Sequence, residues 1–373
     1  MDLFLYGTLC HIPLLRVVLG REPEVLPAVL PDHAVFWSDI GAWPVLRQGG
    51  AGAEGLLLTG LSADEQARLD FYEAGFGYLT EAVVAHAAGT DRTALVYRPP
   101  TGAGVAAPWS LADWVHDWGA VAVATAGDMM ALMGLRPAVD VARRYPLMLV
   151  RGASRLRASH TAPTSLRRTA GPGDVTVARF HQPYAHFFAV EEYDLTFRRF
   201  DGQHSPQINR AVFVSGDAVT VLPYDPLRDR VMLIEQFRAG PMGRGDPQPW
   251  LLEPIAGRVD PEETPEQAAR REAVEEAGLA LGAMEFIGSY YPSPGAKSEY
   301  IYSYLALCDL PDGVEGVFGV EGEAEDIRGH LVGFDQLMAL VSSGEVNNGP
   351  LLLTALWLQR ERGRLRSGAV NPR

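Results

Sequence analysis

Three carboxylates, Glu272, Glu275 and Glu276, crowd the last turn and a half of a segment, Gly257 to Leu279, that otherwise reads as a helix. At 3.6 residues per turn they project from one face. They sit near the negative pole of that helix, and Glu272 and Glu276 repel as an i,i+4 pair. Each effect costs a few tenths to ~1 kcal/mol. Arg271, four residues before Glu275, offsets part of this. A solvated acidic face is the ordinary meaning of such a run. A systematic local conflict is also what a functional site produces. A hard divalent cation would resolve it, because Mg²⁺ takes oxygen ligands and prefers a few carboxylates together with phosphate oxygens and water.

The element that must position these acids carries its own signals. Thr264 is an N-cap type, Pro265 is tolerated at the first helical position, and Gln267 stands where it closes a capping box. Gly278 suits the left-handed residue just past the helix end. The spacing from Gly257 through Glu263, Arg271-Glu272-Ala273 and Glu275-Glu276 to Gly278-Leu279 fills every fixed position of the Nudix box, and the segment resembles that motif over its full length. Nudix enzymes hydrolyse a diphosphate linked to a nucleoside, with divalent metal on a loop-helix-loop.

Chain-wide properties set the frame. The 373 residues suffice for two domains with separate cores. Hydrophobic residues make up 47% and charged residues 21%, a globular composition. A net charge of −14 and a pI near 5.1 leave no basic field for general nucleic-acid binding. Of 32 basic residues one, Lys297, is lysine. Cys10 and Cys308 are far apart in unlike contexts, which argues against a disulfide framework and against zinc. The N-terminus reads as a strand rather than a signal peptide. No apolar run approaches the ~20 residues of a membrane helix. These readings place the protein in the cytoplasm. The stretch Arg157 to Asp174 has no hydrophobic period and reads as a linker, which gives domains over 1–156 and 175–373 with the linker over 157–174.

In the second domain, "AVFVSGDAVTVLPYD", "DRVMLIEQFR" and "YIYSYLALCDL" read as strands, and "GPLLLTALWLQRERGRLR" as a final helix. Strands flanked by helices suggest an α/β/α sandwich with a mixed sheet. From about Phe187 to Leu358 the chain resembles the bacterial ADP-ribose diphosphatase branch of the Nudix family, through "LPYDPLRDRVMLIEQFR", "PWLLEPIAG", "SPGAKSE", "EGEAEDIR" and Pro294. The resemblance implies Mg²⁺ (or Mn²⁺) held by Glu272, Glu276 and the carbonyl of Ala256, with Glu275 on an additional ion. It implies Glu323 as the base that activates water and Glu325 as a further ligand, set against a solvated acidic turn. Arg238 matches an arginine of the diphosphate region, and Glu299 a substrate-facing glutamate. Phe187 and Arg210 match residues that clamp adenine across a swapped homodimer interface. The plain alternatives are a core aromatic for Phe187 and a surface ion pair for Arg210.

In the first domain, "LFLYGTL" is a strand running into a Gly turn. Then come a strand, a helix beginning after Ser62, and Glu73 before a Gly-rich turn. The segments Tyr6-Gly7-Thr8-Leu9 and "LDFYEAGFGY" resemble the γ-glutamylcyclotransferase-like (AIG2-like) family over roughly residues 1–97, with "GTDRTALVYRPP" as a closing strand of a β-barrel. The resemblance implies that the amides of Tyr6 to Leu9 hold a γ-glutamyl compound and that Glu73 is the acid/base. The alternative is a barrel that binds a metabolite or supports assembly. "SLADWVHDWGAVAVATAGDMMALMGL" reads as an amphipathic helical segment whose Trp and Met residues belong to the core.

The whole is expected to be a two-domain α+β protein, a cyclotransferase-like barrel ahead of a Mg²⁺-dependent ADP-ribose diphosphatase giving AMP and ribose 5-phosphate. The arrangement is similar to fused Nudix proteins of proteobacteria sometimes named for tellurite resistance, a name that carries no chemistry here. Another nucleoside diphosphate sugar, a flavin or a dinucleotide is the alternative substrate. A nucleotide sensor without turnover is the alternative class.

Overall fold

The computed structural model describes residues 1–100, 102–160, 163–319 and 325–370. The chain divides into two units, Met1–Pro163 and Thr164–Arg373. The expected linker brackets that division, and regular structure runs two residues into it, to Ala158.

The first unit is a closed barrel with helices. Its strands are β1 (Leu3–Leu5), β2 (Val25–Leu30), β3 (His33–Trp37), β4 (Pro44–Gln48), β5 (Ala53–Leu58), β6 (Leu79–Ala87) and β7 (Thr90–Arg98). The barrel runs β1-β5-β2-β6-β7, and β7 closes it by pairing in parallel with β1, while β3 and β4 form a separate hairpin. Phe4, Tyr6, Leu30, Leu57 and Val96 fill the interior. Between these strands lie α1 (Ile12–Leu19) and α2 (Ala63–Ala74). After them come α3 (Leu111–Trp114), a π-helical turn (Val115–Gly119), α4 (Ala120–Met130), α5 (Ala138–Ala142) and α6 (Tyr145–Ala158). Ser62 caps α2 in a reciprocal box with Glu65. Trp114, Met129 and Met130 are buried, in keeping with a core role.

The second unit contains β8 (Val175–Ala185), β9 (Ala189–Phe197), β10 (Ile208–Val214), β11 (Ala218–Asp225), β12 (Arg230–Phe237), α7 (Ala239–Arg244), β13 (Trp250–Glu253), β14 (Ile255–Arg258) and α8 (Pro265–Ala277). It continues with β15 (Met284–Tyr290), β16 (Ile301–Leu307), β17 (Val317–Phe318), β18 (Ile327–Gly333), α9 (Phe334–Ser343) and α10 (Gly349–Val370). Strands β8 to β10 form a small antiparallel sheet. The large sheet runs β15-β16-β11-β12-β18-β17, with β13 on β12 and β14 on β11; it is mixed, since β11 and β16 are parallel.

Alternation along β11 explains the sandwich. Val219 and Val221 face a core under α8, with Ile255, Ala268, Ala269 and Ala273, while Leu222 and Tyr224 face a second core under α9 and α10. The alanines on the inner face of α8 let that helix lie close to the sheet. "AVFVSGDAVTVLPYD", which reads as one strand-rich run, is two strands in different sheets, broken at Ser215–Asp217.

Candidate active sites

Helix α8 begins and ends as its sequence dictates. The Thr264 side chain accepts the Gln267 amide and the Gln267 side chain accepts the Thr264 amide, at 3.3 and 2.8 Å. Gly278 adopts φ +60°, and the following Leu279 amide donates back to the Ala273 carbonyl at 2.9 Å.

This brings Glu272 and Glu276 onto β14. Glu276 is 3% exposed, and its Oε2 accepts the Ala256 amide at 2.9 Å. A Cβ on Gly257 would lie 1.7 Å from Glu272 Oε1, so only glycine lets that carboxylate approach the strand. Glu276 therefore meets Ala256, and Glu272 the neighbouring Gly257, on one stretch of β14. Burial pushes Glu272 up to about 7 and Glu276 up to about 8, with Glu275 and Glu325 adding to the first and Glu272 and Glu325 to the second.

Arg271 is the hub of the box. It bonds Glu263 at 2.6 Å, Glu272 at 2.7 Å, Glu275 at 3.0 Å and the Arg258 carbonyl at 3.0 Å. Its hydrogen bonds to Glu263 lead the causes that raise its own pKa. Glu325 lies close enough for its charge to act on Glu272, Glu276 and Arg238. Glu323, the expected base, lies outside the described residues.

Among the described residues no group of three or more His, Cys, Asp or Glu side chains is gathered to hold an ion. Two buried carboxylates against one backbone stretch still fit Mg²⁺, a hard cation that completes its shell with water and phosphate oxygens.

The other expected contacts are spread around this cluster. Arg238, at the end of β12, donates to Glu253 Oε2 at 2.9 and 2.6 Å, and Asn348 holds the other oxygen at 2.8 Å. Burial would lower Arg238's pKa, but Glu253 outweighs it and keeps the guanidinium charged. Glu299 pairs with Lys297 at 3.6 Å in a loop whose backbone bonds the end of β10 through Phe213. Phe187, in the β8–β9 turn, is 62% exposed and so is not a core aromatic. Its ring lies 4.8 Å from Phe188 and carries the Arg258 guanidinium at 4.0 Å. Arg210 is exposed on β10, donates to the Asn209 carbonyl at 2.8 Å, and among the described residues makes no ion pair. Sequence reasoning missed Glu253 and Arg258, because neither has a spacing signal of its own.

In the barrel, Tyr6 directly follows β1 and donates its hydroxyl to the Tyr97 carbonyl at 2.8 Å. Gly7 lies so close to Pro44 that a Cβ would meet its Cγ at 2.2 Å. Thr8 to Cys10 form a 3-10 turn, with Leu9 buried. Glu73 stands in the last turn of α2. The residue keeps some exposed surface, but its carboxyl is enclosed, and burial pushes it up to about 8. Its charge acts on the hydroxyls of Tyr6, Tyr72, Tyr78, Tyr97 and Tyr145, all raised first by burial. Tyr145 comes from α6, and its ring packs edge-on against Phe76 at 5.1 Å. That tyrosine enclosure was not legible in the sequence, since its members come from separate elements.

A buried carboxylate helix against a glycine strand on a mixed sandwich defines a Nudix domain, and comparison with known proteins agrees. Residues 214–352 match the NUDIX domain model, and residues 3–116 match the model of gamma-glutamyl cyclotransferase, AIG2-like. The ADP-ribose pyrophosphatase of Escherichia coli (strain K12) is 37% identical over 197 residues, 53% of this chain and 93% of the relative. That of Haemophilus influenzae is 33% identical over 188 residues, 50% of this chain and 86% of the relative. A GDP-mannose pyrophosphatase of Enterobacter is 34% identical over 150 residues, 40% of this chain and 77% of the relative. The chain belongs to the Nudix family of hydrolases, with an AIG2-like domain ahead of the Nudix domain.

Proposed function

We propose that the second unit hydrolyses a nucleoside diphosphate linked to another moiety, foremost ADP-ribose, to AMP and ribose 5-phosphate. The observation that carries this is the burial of Glu272 and Glu276 together against Ala256 and Gly257. In this reading Glu272, Glu276 and the Ala256 carbonyl hold Mg²⁺ or Mn²⁺, Glu275 serves an additional ion, and Glu325 adds a ligand. Bound metal would supply charge neutralisation at the diphosphate and polarise the attacking water. Water adds to one phosphorus, the bridging P–O bond breaks, and two phosphomonoesters leave. Glu323 accepts the proton of that water. Arg238 contacts the diphosphate, and Glu299, Phe187 and Arg210 contact the rest of the substrate, the last two across a homodimer.

A second reading concerns the barrel. A carboxyl poised near pH 8 inside a tyrosine enclosure suits proton transfer on a γ-glutamyl compound held by Tyr6, Gly7, Thr8 and Leu9. We place the protein in the cytoplasm, without nucleic-acid or membrane partners; no helix among the described residues is long and apolar enough to cross a membrane.

The test is a panel of nucleoside diphosphates incubated with Mg²⁺, with products resolved by mass. ADP-ribose is expected to give AMP and ribose 5-phosphate, and the reaction to stop with chelator. A clear preference for GDP-mannose or a dinucleotide would overturn the substrate, and no turnover of any member would overturn the reaction.

A further inference from the structure

The diphosphate reading requires cations that face the substrate, and most of those near the carboxylate helix are already engaged. Arg271 is committed to Glu263, Glu272, Glu275 and a backbone carbonyl. Arg238 gives two donors to Glu253, and Lys297 pairs with Glu299 at 3.6 Å. Arg258 differs. It is half-buried at the end of β14, two residues after Ala256. Among the described residues its guanidinium donates no hydrogen bond and has no carboxylate within ion-pair distance. Asp260 and Glu299 are near enough to favour its charge without pairing with it. Its Cζ lies over the Phe187 ring, 4.0 Å from the centroid, with the Phe188 centroid at 5.5 Å. That contact gives its N–H donors no oxygen acceptor, and those donors are what a guanidinium offers to phosphate oxygens. A half-buried cation without an acceptor is costly unless a ligand supplies one.

We infer that Arg258 is a substrate-binding residue that donates to the anionic oxygens of the diphosphate from its platform on Phe187. This deepens the proposed reading of the site and rests on it. The rival role is purely structural, with Arg258 pinning the β8–β9 turn.

The experiment compares wild type, Arg258→Met and Arg258→Lys in two assays. The first is Mg²⁺-dependent hydrolysis of ADP-ribose. The second is binding of α,β-methylene-ADP, a diphosphate that cannot be cleaved at its bridge, by calorimetry with and without Mg²⁺. Loss of a charge-assisted donor is expected to weaken analogue binding and raise KM roughly 10- to 100-fold in Arg258→Met. Arg258→Lys should recover part of that loss, and the salt dependence of binding should flatten in Arg258→Met. Thermal melting identifies a variant that fails to fold. In that case Arg258→Lys decides. Analogue affinity within twofold of wild type in a folded variant overturns the inference, as does salt-independent binding by wild type. Arg258-dependent binding without hydrolysis by wild type keeps the inference and overturns the reaction instead.

Discussion

Glu276 is the residue whose chemistry is most constrained. It is buried at the negative end of a helix, beside Glu272, with one backbone amide as its hydrogen-bond donor. Its folded pKa, about 8, exceeds the ~4.3 of an unfolded glutamate. Without metal, its protonated form favours the folded state below pH ~4.3, and that contribution is lost as pH rises to about 8. Glu276→Gln keeps an acceptor for Ala256 but never ionises. It should lower Mg²⁺-dependent hydrolysis by ~100-fold or more, since metal-site ligands act in the transition state. In chelator it should melt no lower than wild type at pH 5 and higher at pH 8. Activity within a few-fold of wild type would remove Glu276 from the metal site. Gly257→Ala probes the same geometry from the strand. A methyl 1.7 Å from Glu272 Oε1 must displace that carboxylate, while the backbone, not left-handed there, tolerates alanine. The expected result is a folded protein with weakened Mg²⁺ activation, and an unchanged Mg²⁺ titration curve would contradict it. The acids were legible from spacing because they share one helix. Arg258 was not, because its meaning depends on which neighbours are already engaged, and those come from four other segments.

At the scale of elements, α8 could be read residue by residue, since caps, Pro265 and Gly278 act locally. The strands could be found but not sorted into sheets, because pairing is decided by distant partners. The small β8–β10 sheet shows the difference. It buries a core of only Ala185, Ala189 and Val214, and leaves Val175 at 59%, Val177 at 49% and Tyr184 at 51% exposure. Three strands with so little covered surface are marginal alone, and large exposed apolar patches mark interaction surfaces. With Phe187 and Arg210 both exposed on this sheet and its turn, a homodimer through the second unit is the expected assembly. Sedimentation should give a dimer, and Val177→Glu should shift it toward monomer and reduce hydrolysis with it. A wild-type monomer with full activity would refute the assembly.

At the scale of the whole molecule, two sets of reactive residues occupy two separate units, and their chemical needs do not overlap. The second unit gathers the carboxylates that the proposed reading assigns to metal. The first encloses one carboxyl among tyrosines, where burial holds the proton to about pH 8. A barrel site built on a protonatable glutamate gains nothing from Mg²⁺, and a metal-carboxylate site gains nothing from Glu73. The two sites are therefore expected to work independently. Glu73→Gln should leave ADP-ribose hydrolysis unchanged, and chelator should leave ligand binding by the barrel intact. The same substitution should stabilise the first unit at pH 8 relative to wild type and have little effect at pH 4. The reason is that the raised pKa of Glu73 gives a contribution present below ~4.3 and lost as pH rises to about 8. If the barrel is a catalyst, γ-glutamyl amines will release 5-oxoproline in wild type and not in Glu73→Gln; if it only binds or assembles, none of them will turn over. A large loss of diphosphate hydrolysis in Glu73→Gln would end the case for independence and require the two units to share one composite site.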